Sequence, residues 1–178
     1  MRWLAAMLAV AVVAGCAAAP VPFQGSGFAA CPRPAAGGKL PAVTVTCMDG
    51  SGQTVSLDRL TGRPMVVNLW ASWCAPCGQE MPAFQRLHSK ARDNLVVLGV
   101  ATKDDPTRSV QAAQDVGIRF ANVFDPNAAV ERGLGRANLP VTVFVDAKGA
   151  VTYLYAGPVL TDKALADLVK RYLGVVVG

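Results

Sequence analysis

Hydrophobic and polar positions along this chain repeat with two different periods, and the switches between them outline its elements. After an apolar start, residues 17–41 carry Pro, Gly, Ser and Ala with little periodicity, which predicts an irregular lead-in. Val43-Thr44-Val45-Thr46-Cys47 then alternates apolar with polar. Asp49-Gly50 and Ser51-Gly52 supply turn residues, and Thr54-Val55-Ser56-Leu57 alternates again, which is a β-hairpin pattern. Asp58 to Gly62 reads as a short turn or helix. Arg63-Pro64 opens a continuous apolar run, Met65 to Leu69, of the kind that makes a buried strand.

From Cys74 to about Arg92 the period becomes helical, with Met81, Phe84 and Leu87 on one apolar stripe. Pro82 lies inside it and predicts a kink, because it removes a donor and crowds the carbonyl of Gly78. Leu95 to Val100 is a strongly apolar strand. Thr107 to Val116 reads as a helix with Val110 and Ala113 inward and Gly117 as its stop. Phe120 to Phe124 is a further strand, and Asp125-Pro126-Asn127 opens a short helix ending near Gly133. Val141 to Val145 is a strand, Lys148-Gly149 a turn, and Val151 to Tyr155 returns antiparallel. Thr161 caps a last helix in which Leu165, Leu168, Val169 and Tyr172 share a face. The order is a hairpin, βαβα, a short strand and helix, then ββα, without internal repeat. That is an α/β chain.

Length and charge narrow the picture. At 178 residues one domain with a real core is expected, and two are not. The formal net charge is +5, but the Lys and Arg residues are scattered and no basic run is interleaved with aromatics, which argues against a nucleic-acid partner.

The start of the chain predicts an address. Arg2 is positive, Trp3 to Val13 is apolar, and small residues lead to Cys16, so residues 1–15 read as a secretory signal peptide. Val13-Ala14-Gly15-Cys16 resembles the lipobox of bacterial lipoproteins. The resemblance implies cleavage before Cys16 and acyl groups on that cysteine, enough of them to anchor the protein stably to a membrane. Two alternatives stay open. The weakly apolar character continues through Ala17–Ala19 to Phe23, which allows an uncleaved anchor, and a plain cleaved signal would leave the protein secreted. All three place the protein outside the cytoplasm, with residues 16–38 as a tether and 39–178 as the folded domain.

Cysteine usage fits that address. Cys16 is taken by lipid, Cys74 and Cys77 form a Cys-x-x-Cys pair, and Cys31 and Cys47 remain, an even number in an oxidising compartment. A structural bridge between the last two would close a loop of about 17 residues, worth roughly 3 kcal/mol on the chain-entropy estimate. The alternative is two separate thiols.

A Cys-x-x-Cys is half of a zinc site or a redox pair. Zinc needs two further ligands, and the chain offers one histidine, His88, and no second cysteine pair at ligand spacing. No metal and no other cofactor is expected. His88 reads as an ordinary helix residue, and Gly133-Leu134-Gly135 as a helix stop and turn. The redox reading has a geometric basis. Strand, turn and helix in succession put Cys74 at a helix mouth, where unpaired N–H groups and the helix dipole favour a thiolate, the nucleophile of disulfide exchange.

Trp73-Cys74-Ala75-Pro76-Cys77 resembles the thioredoxin-family active site. Pro82 matches that family's kinking proline, and Leu139-Pro140-Val141-Thr142 resembles its cis-proline loop. The hairpin, the inserted strand and helix near Phe120 to Gly133 and the export signal resemble the TlpA/ResA-like branch of membrane-tethered thiol–disulfide reductases, some of which serve cytochrome c maturation. The similarity runs from about Lys39 to Leu173. It implies a thioredoxin-like three-layer α/β sandwich with an N-terminal β-hairpin and an inserted strand–helix.

The resemblance also implies roles. Cys74 attacks a client disulfide, Cys77 resolves the mixed disulfide, and a membrane thiol carrier recharges the pair. Trp73, Pro76, Leu139 and a cis Pro140 wall the site, with the backbone of Leu139 pairing with a passing client peptide. Thioredoxins proper carry a buried Asp where this chain has Asn68, and an amide cannot take the proton that Cys77 must lose. Glu80, three residues beyond Cys77, matches an acidic residue of the ResA-like pattern. If half-buried, its pKa would rise into the range of general acid/base work. The alternative is an exposed Glu in a first helical turn. Trp73 reads as a lid beside the pair, and Trp70 stays open between packing and site. The expected partners are client proteins with disulfides, among them apocytochrome c, and that thiol donor. The competing functions are an oxidase using the same pair, and a client-binding module that only borrows the fold.

Overall fold

The computed structural model describes residues 23–35 and 37–177. The expected signal segment and Cys16 lie outside these residues. The hairpin strands are β1 (Thr44–Cys47) and β2 (Thr54–Ser56), and β3 (Met65–Trp70) leads into helix α1 (Ala75–Ala91). Then follow β4 (Val96–Thr102), α2 (Pro106–Asp115), β5 (Ala121–Asp125), α3 (Ala129–Gly133), β6 (Val141–Val145), β7 (Val151–Tyr155) and α4 (Asp162–Leu173). Elements match the periodicities to within a few residues. Leu57 leaves the hairpin and opens a single 3-10 turn, Leu57–Arg59, and Trp70 extends β3 by one position.

One seven-stranded sheet runs in the order β2-β1-β5-β4-β3-β6-β7. β3, β4 and β5 are parallel neighbours, while β6 and β1 pair antiparallel to β3 and β5. Two parallel steps in one direction carry α1 and α2 over the same face by right-handed crossovers. α4 joins them there, and α3 with the chain around Leu40 and Leu57 covers the other face. The architecture is the thioredoxin-like α/β sandwich expected, with its N-terminal hairpin and with β5 and α3 as the insert.

Strand β3, inside the sheet between β4 and β6, shows how the sequence sorts itself between the two layers. Met65, Val67 and Leu69 enter the α3 side, whereas Val66 and Trp70 enter the α1 side. Asn68 lies between the latter two on the same face by the period of two, so an amide is driven into the core under α1. Trp70 is wholly buried, and its indole N–H donates to Asn122 Oδ1 at 2.9 Å. Of the two readings open for Trp70, the structure shows packing. Gly99 makes the space for that bond, since a Cβ there would lie 1.9 Å from Asn122 Oδ1.

The lead-in differs from a free tether. From Phe23 onward the chain packs on the domain as a strap running alongside α2 in the same direction, with Gln114 Nε2 donating to Ser26 O at 3.1 Å and Ala29 reaching Arg119 beyond the helix. The Phe23 ring lies tilted against Phe124 with centroids 5.4 Å apart, and both Phe23 and Phe28 join the core. Ser26 Oγ donates to Met48 O at 2.6 Å, and Ala29 N donates to Arg119 O at 2.7 Å. Cys31 and Cys47 are disulfide-bonded, which fixes the strap to β1. The packed body therefore begins by Phe23, earlier than the boundary at residue 39 drawn from composition. The two phenylalanines bury apolar area that an aperiodic Pro/Gly-rich stretch does not advertise.

Candidate active site

β3 ends at Trp70, and four residues later the chain enters α1. Cys74 is the N-cap of that helix, with extended backbone (φ −89°, ψ 94°), and Pro76 occupies its first turn, where a missing N–H costs nothing. The helix then runs on through Pro82 to Ala91. Cys74 and Cys77 are joined by a disulfide, the oxidised form of the pair, with Cα atoms 5.3 Å apart. The Cys77 amide donates to Cys74 Sγ at 3.3 Å. In the reduced form the same donor and the dipole behind it would face the Cys74 thiolate. Cys74 is 5% exposed and Cys77 0%, so an incoming sulfur reaches the first cysteine and not the second.

The turn before the pair is gripped by the loop between β4 and α2. Asp104 accepts from Ser72 N at 2.5 Å, Ser72 Oγ at 2.6 Å and Ser109 Oγ at 2.8 Å. Trp73 is 60% exposed, yet its indole N–H donates to Lys103 O at 2.9 Å, which holds the ring beside Cys74. Lys103 has left-handed backbone (φ 51°), and its ammonium pairs at 3.0 Å with the buried Glu131 of α3. Neither Asp104 nor Lys103 stood out in the sequence. Only the Asp105-Pro106 helix start beside them carries a local signal, and Asp105 does cap α2 through Arg108 N at 3.0 Å.

Glu80 lies inside the protein, not half-buried, at 1% exposure. Its Oε1 accepts from Asn68 Nδ2 at 2.8 Å and its Oε2 from Leu160 N at 3.2 Å. Burial pushes its pKa above the ordinary carboxyl value, and the two donors offset this only in part. Among the described residues, none partners the buried Asn68 Oδ1. Asn68 and Glu80 thus form one polar unit in an apolar layer, between β3 and the helix that carries Cys77. The alternative of an exposed first-turn Glu does not match this placement.

The start of β6 lies beside the end of β3. Leu69 pairs with Val141, so Pro140 lies level with the end of β3, and the Leu139–Pro140 bond is cis. Leu139 and Pro140 are half-buried. They border a pocket of about 420 Å³ closed by Arg136, Asn138, Ala156 and Gly157. Cys31 and Cys47 lie on the strap and β1, apart from these residues. His88 is half-buried on α1, with its ring 6.3 Å from Phe120.

The arrangement can exchange disulfides: a reachable sulfur at a helix mouth, a hidden partner sulfur one turn on, and a buried carboxyl behind them. Among the described residues, no three His, Cys, Asp or Glu side chains are grouped as metal ligands. No helix among them is long and apolar enough to cross a membrane.

Comparisons with known proteins agree with this chemistry. The family described as Redoxin matches residues 35–170. The chain is 31% identical over 134 residues to the thiol:disulfide interchange protein HelX of Rhodobacter capsulatus, covering 75% of this chain and 74% of that protein. It is 28% identical over 141 residues to the thiol:disulfide interchange protein DsbE of Escherichia coli K12, covering 76% and 75%. A secreted Mycobacterium tuberculosis disulfide oxidoreductase, described as homologous to Escherichia coli DsbE, superposes with a TM-score of 0.65 at 23% identity. That match covers 73% of this chain and 96% of the other.

Proposed function

The chain belongs to the Redoxin family and is a thiol–disulfide oxidoreductase of the DsbE/HelX/ResA-like kind, and from that premise we propose that it reduces client disulfides outside the cytoplasm. The observation that carries the reading is the division of labour in the pair. Cys74 is reachable at the helix mouth with an amide on its sulfur, and Cys77 is closed off one turn below, three residues before a buried carboxyl on the same helix.

Cys74 as thiolate attacks one sulfur of the client disulfide. The new Cys74–client bond forms as the client S–S bond breaks, and the first client sulfur leaves as a thiolate that takes a proton from solvent. Cys77 then gives its proton to Glu80 and attacks Cys74 Sγ. The intramolecular disulfide forms, the second client sulfur leaves, and Glu80 returns the proton. Two electrons have moved from the pair to the client. Trp73, Pro76, Leu139 and Pro140 wall the site, and the backbone of Leu139 takes the client as an added strand.

A thiol donor in the membrane restores the pair. The N-terminal pattern supports export and a lipid anchor on Cys16. The resemblance to the TlpA/ResA-like branch supports an apocytochrome c client, and Cys31–Cys47 is the structural bridge. Equilibration with glutathione tests the direction. A potential near about −270 mV fits a reductase, and one near about −120 mV would make the same pair an oxidase.

A further inference from the structure

Acids on the loops around Cys74 and on α3 and α4 are held by neighbouring groups. Asp104 holds Ser72 and Ser109, Asp105 caps α2, and Asp125 accepts from the first amides of α3, Ala129 N and Val130 N. Glu131 is buried against Lys103, and Asp162 is paired with Arg86 at 2.7 Å. Arg136 differs: it is exposed, and among the described residues no acceptor holds its guanidinium. Its backbone is nonetheless fixed. Gly135 turns left-handed (φ 65°) with its amide on Arg132 O at 3.0 Å, and Arg136 N donates to Glu131 O at 2.9 Å. Arg136 and Asn138 line the pocket of about 420 Å³ that Leu139 and Pro140 border. A client strand pairing with Leu139 would pass this pocket with every second side chain turned toward it.

We propose that this pocket is a subsite for an acidic client side chain, aspartate or glutamate, within a few residues of the cysteine that Cys74 attacks. The guanidinium offers a two-pronged donor to a carboxylate, and the Asn138 amide offers a third N–H. The inference rests on the reading of this chain as an oxidoreductase of client proteins, and it adds the class of sequence selected.

The test uses disulfide-linked peptides identical except at one position two residues from the cysteine, carrying Glu, Gln or Lys. The full chain should favour Glu over Gln in kcat/KM by about three- to ten-fold, with Lys lowest, and about 0.5 M salt should shrink the ratio. Arg136→Gln should bring the three peptides together, and Arg136→Glu should reverse their order. An acid preference that persists in Arg136→Glu would assign the selection to the overall charge of +5 and overturn the subsite. If the protein oxidises thiols instead, the same ratios read on the reduced peptides. Failure of the direction and failure of the subsite are then separate results.

Discussion

Asn68 Nδ2 donates to Glu80 Oε1 at 2.8 Å, joining β3 to the active-site helix inside the core. The period of two along β3 turns Asn68 toward α1, and the helical period three residues past Cys77 turns Glu80 back toward β3. Two polar groups costly to bury alone meet there and satisfy each other in part.

Replacing Glu80 by Gln tests what that carboxyl does. Its pKa is raised by burial, so the folded protein holds the proton to a higher pH than the unfolded chain. Stability therefore falls as pH rises from the ordinary carboxyl value through the raised one, and the loss is complete above it. Gln cannot ionise, and it can donate to the orphaned Asn68 Oδ1 while accepting from Leu160 N. Glu80→Gln should match wild type near pH 4 and exceed it at pH 8 by about 1 kcal/mol, about 2–5 °C in Tm. The same variant should flatten the pH dependence of thiol exchange. An unchanged pH profile would sink the proton-transfer role.

Asp104→Ala leaves Ser72 N, Ser72 Oγ and Ser109 Oγ without their shared acceptor. A loss of about 2 kcal/mol in urea unfolding is expected. Exchange should slow by about ten-fold, because the turn that aims Cys74 loses its support. Stopped-flow reduction of a disulfide peptide reads the rate.

Gly99→Ala drives a methyl into Asn122 Oδ1 and within 3.0 Å of Trp70 Nε1. Either the Trp70–Asn122 bond breaks or β4 shifts, at a cost of about 2–3 kcal/mol. Near-UV circular dichroism should report the change at Trp70, together with a lower denaturation midpoint.

Removing the second disulfide separates structure from chemistry. Cys31→Ser with Cys47→Ser frees the strap from β1 at that point and should lower stability by about 3 kcal/mol. Cys74 should still be alkylated first in the reduced protein. A collapse of exchange without loss of stability would instead give that bridge a redox role.

Strands β3, β4 and β6 were legible because each is a short, continuous, β-branched-rich apolar run too brief for a helix, with Pro64 and Pro140 opening β3 and β6. The redox pair was legible because Trp73 to Cys77 is contiguous. Phe23 and Phe28 were not, since isolated aromatics in a Pro/Gly-rich stretch carry no period, and only the folded sheet shows the apolar surface they cover. Lys103 and Asp104 act on Trp73 and Ser72 from about thirty positions away, a pairing that no local pattern encodes. Trp70 could not be assigned until Asn122 was seen to receive its indole N–H. Glu80 was placed by helical spacing, but its complete burial depends on Leu160, eighty positions on.

The central claim is that Cys74 receives the client and Cys77 releases it. Cys77→Ser, expressed in the native envelope, should accumulate mixed disulfides through Cys74, dominated by a c-type cytochrome precursor or its assembly factor. A parallel Cys74→Ser variant should accumulate none. Full biological activity of Cys74→Ser, or adducts carried on Cys77 in its place, would contradict the account.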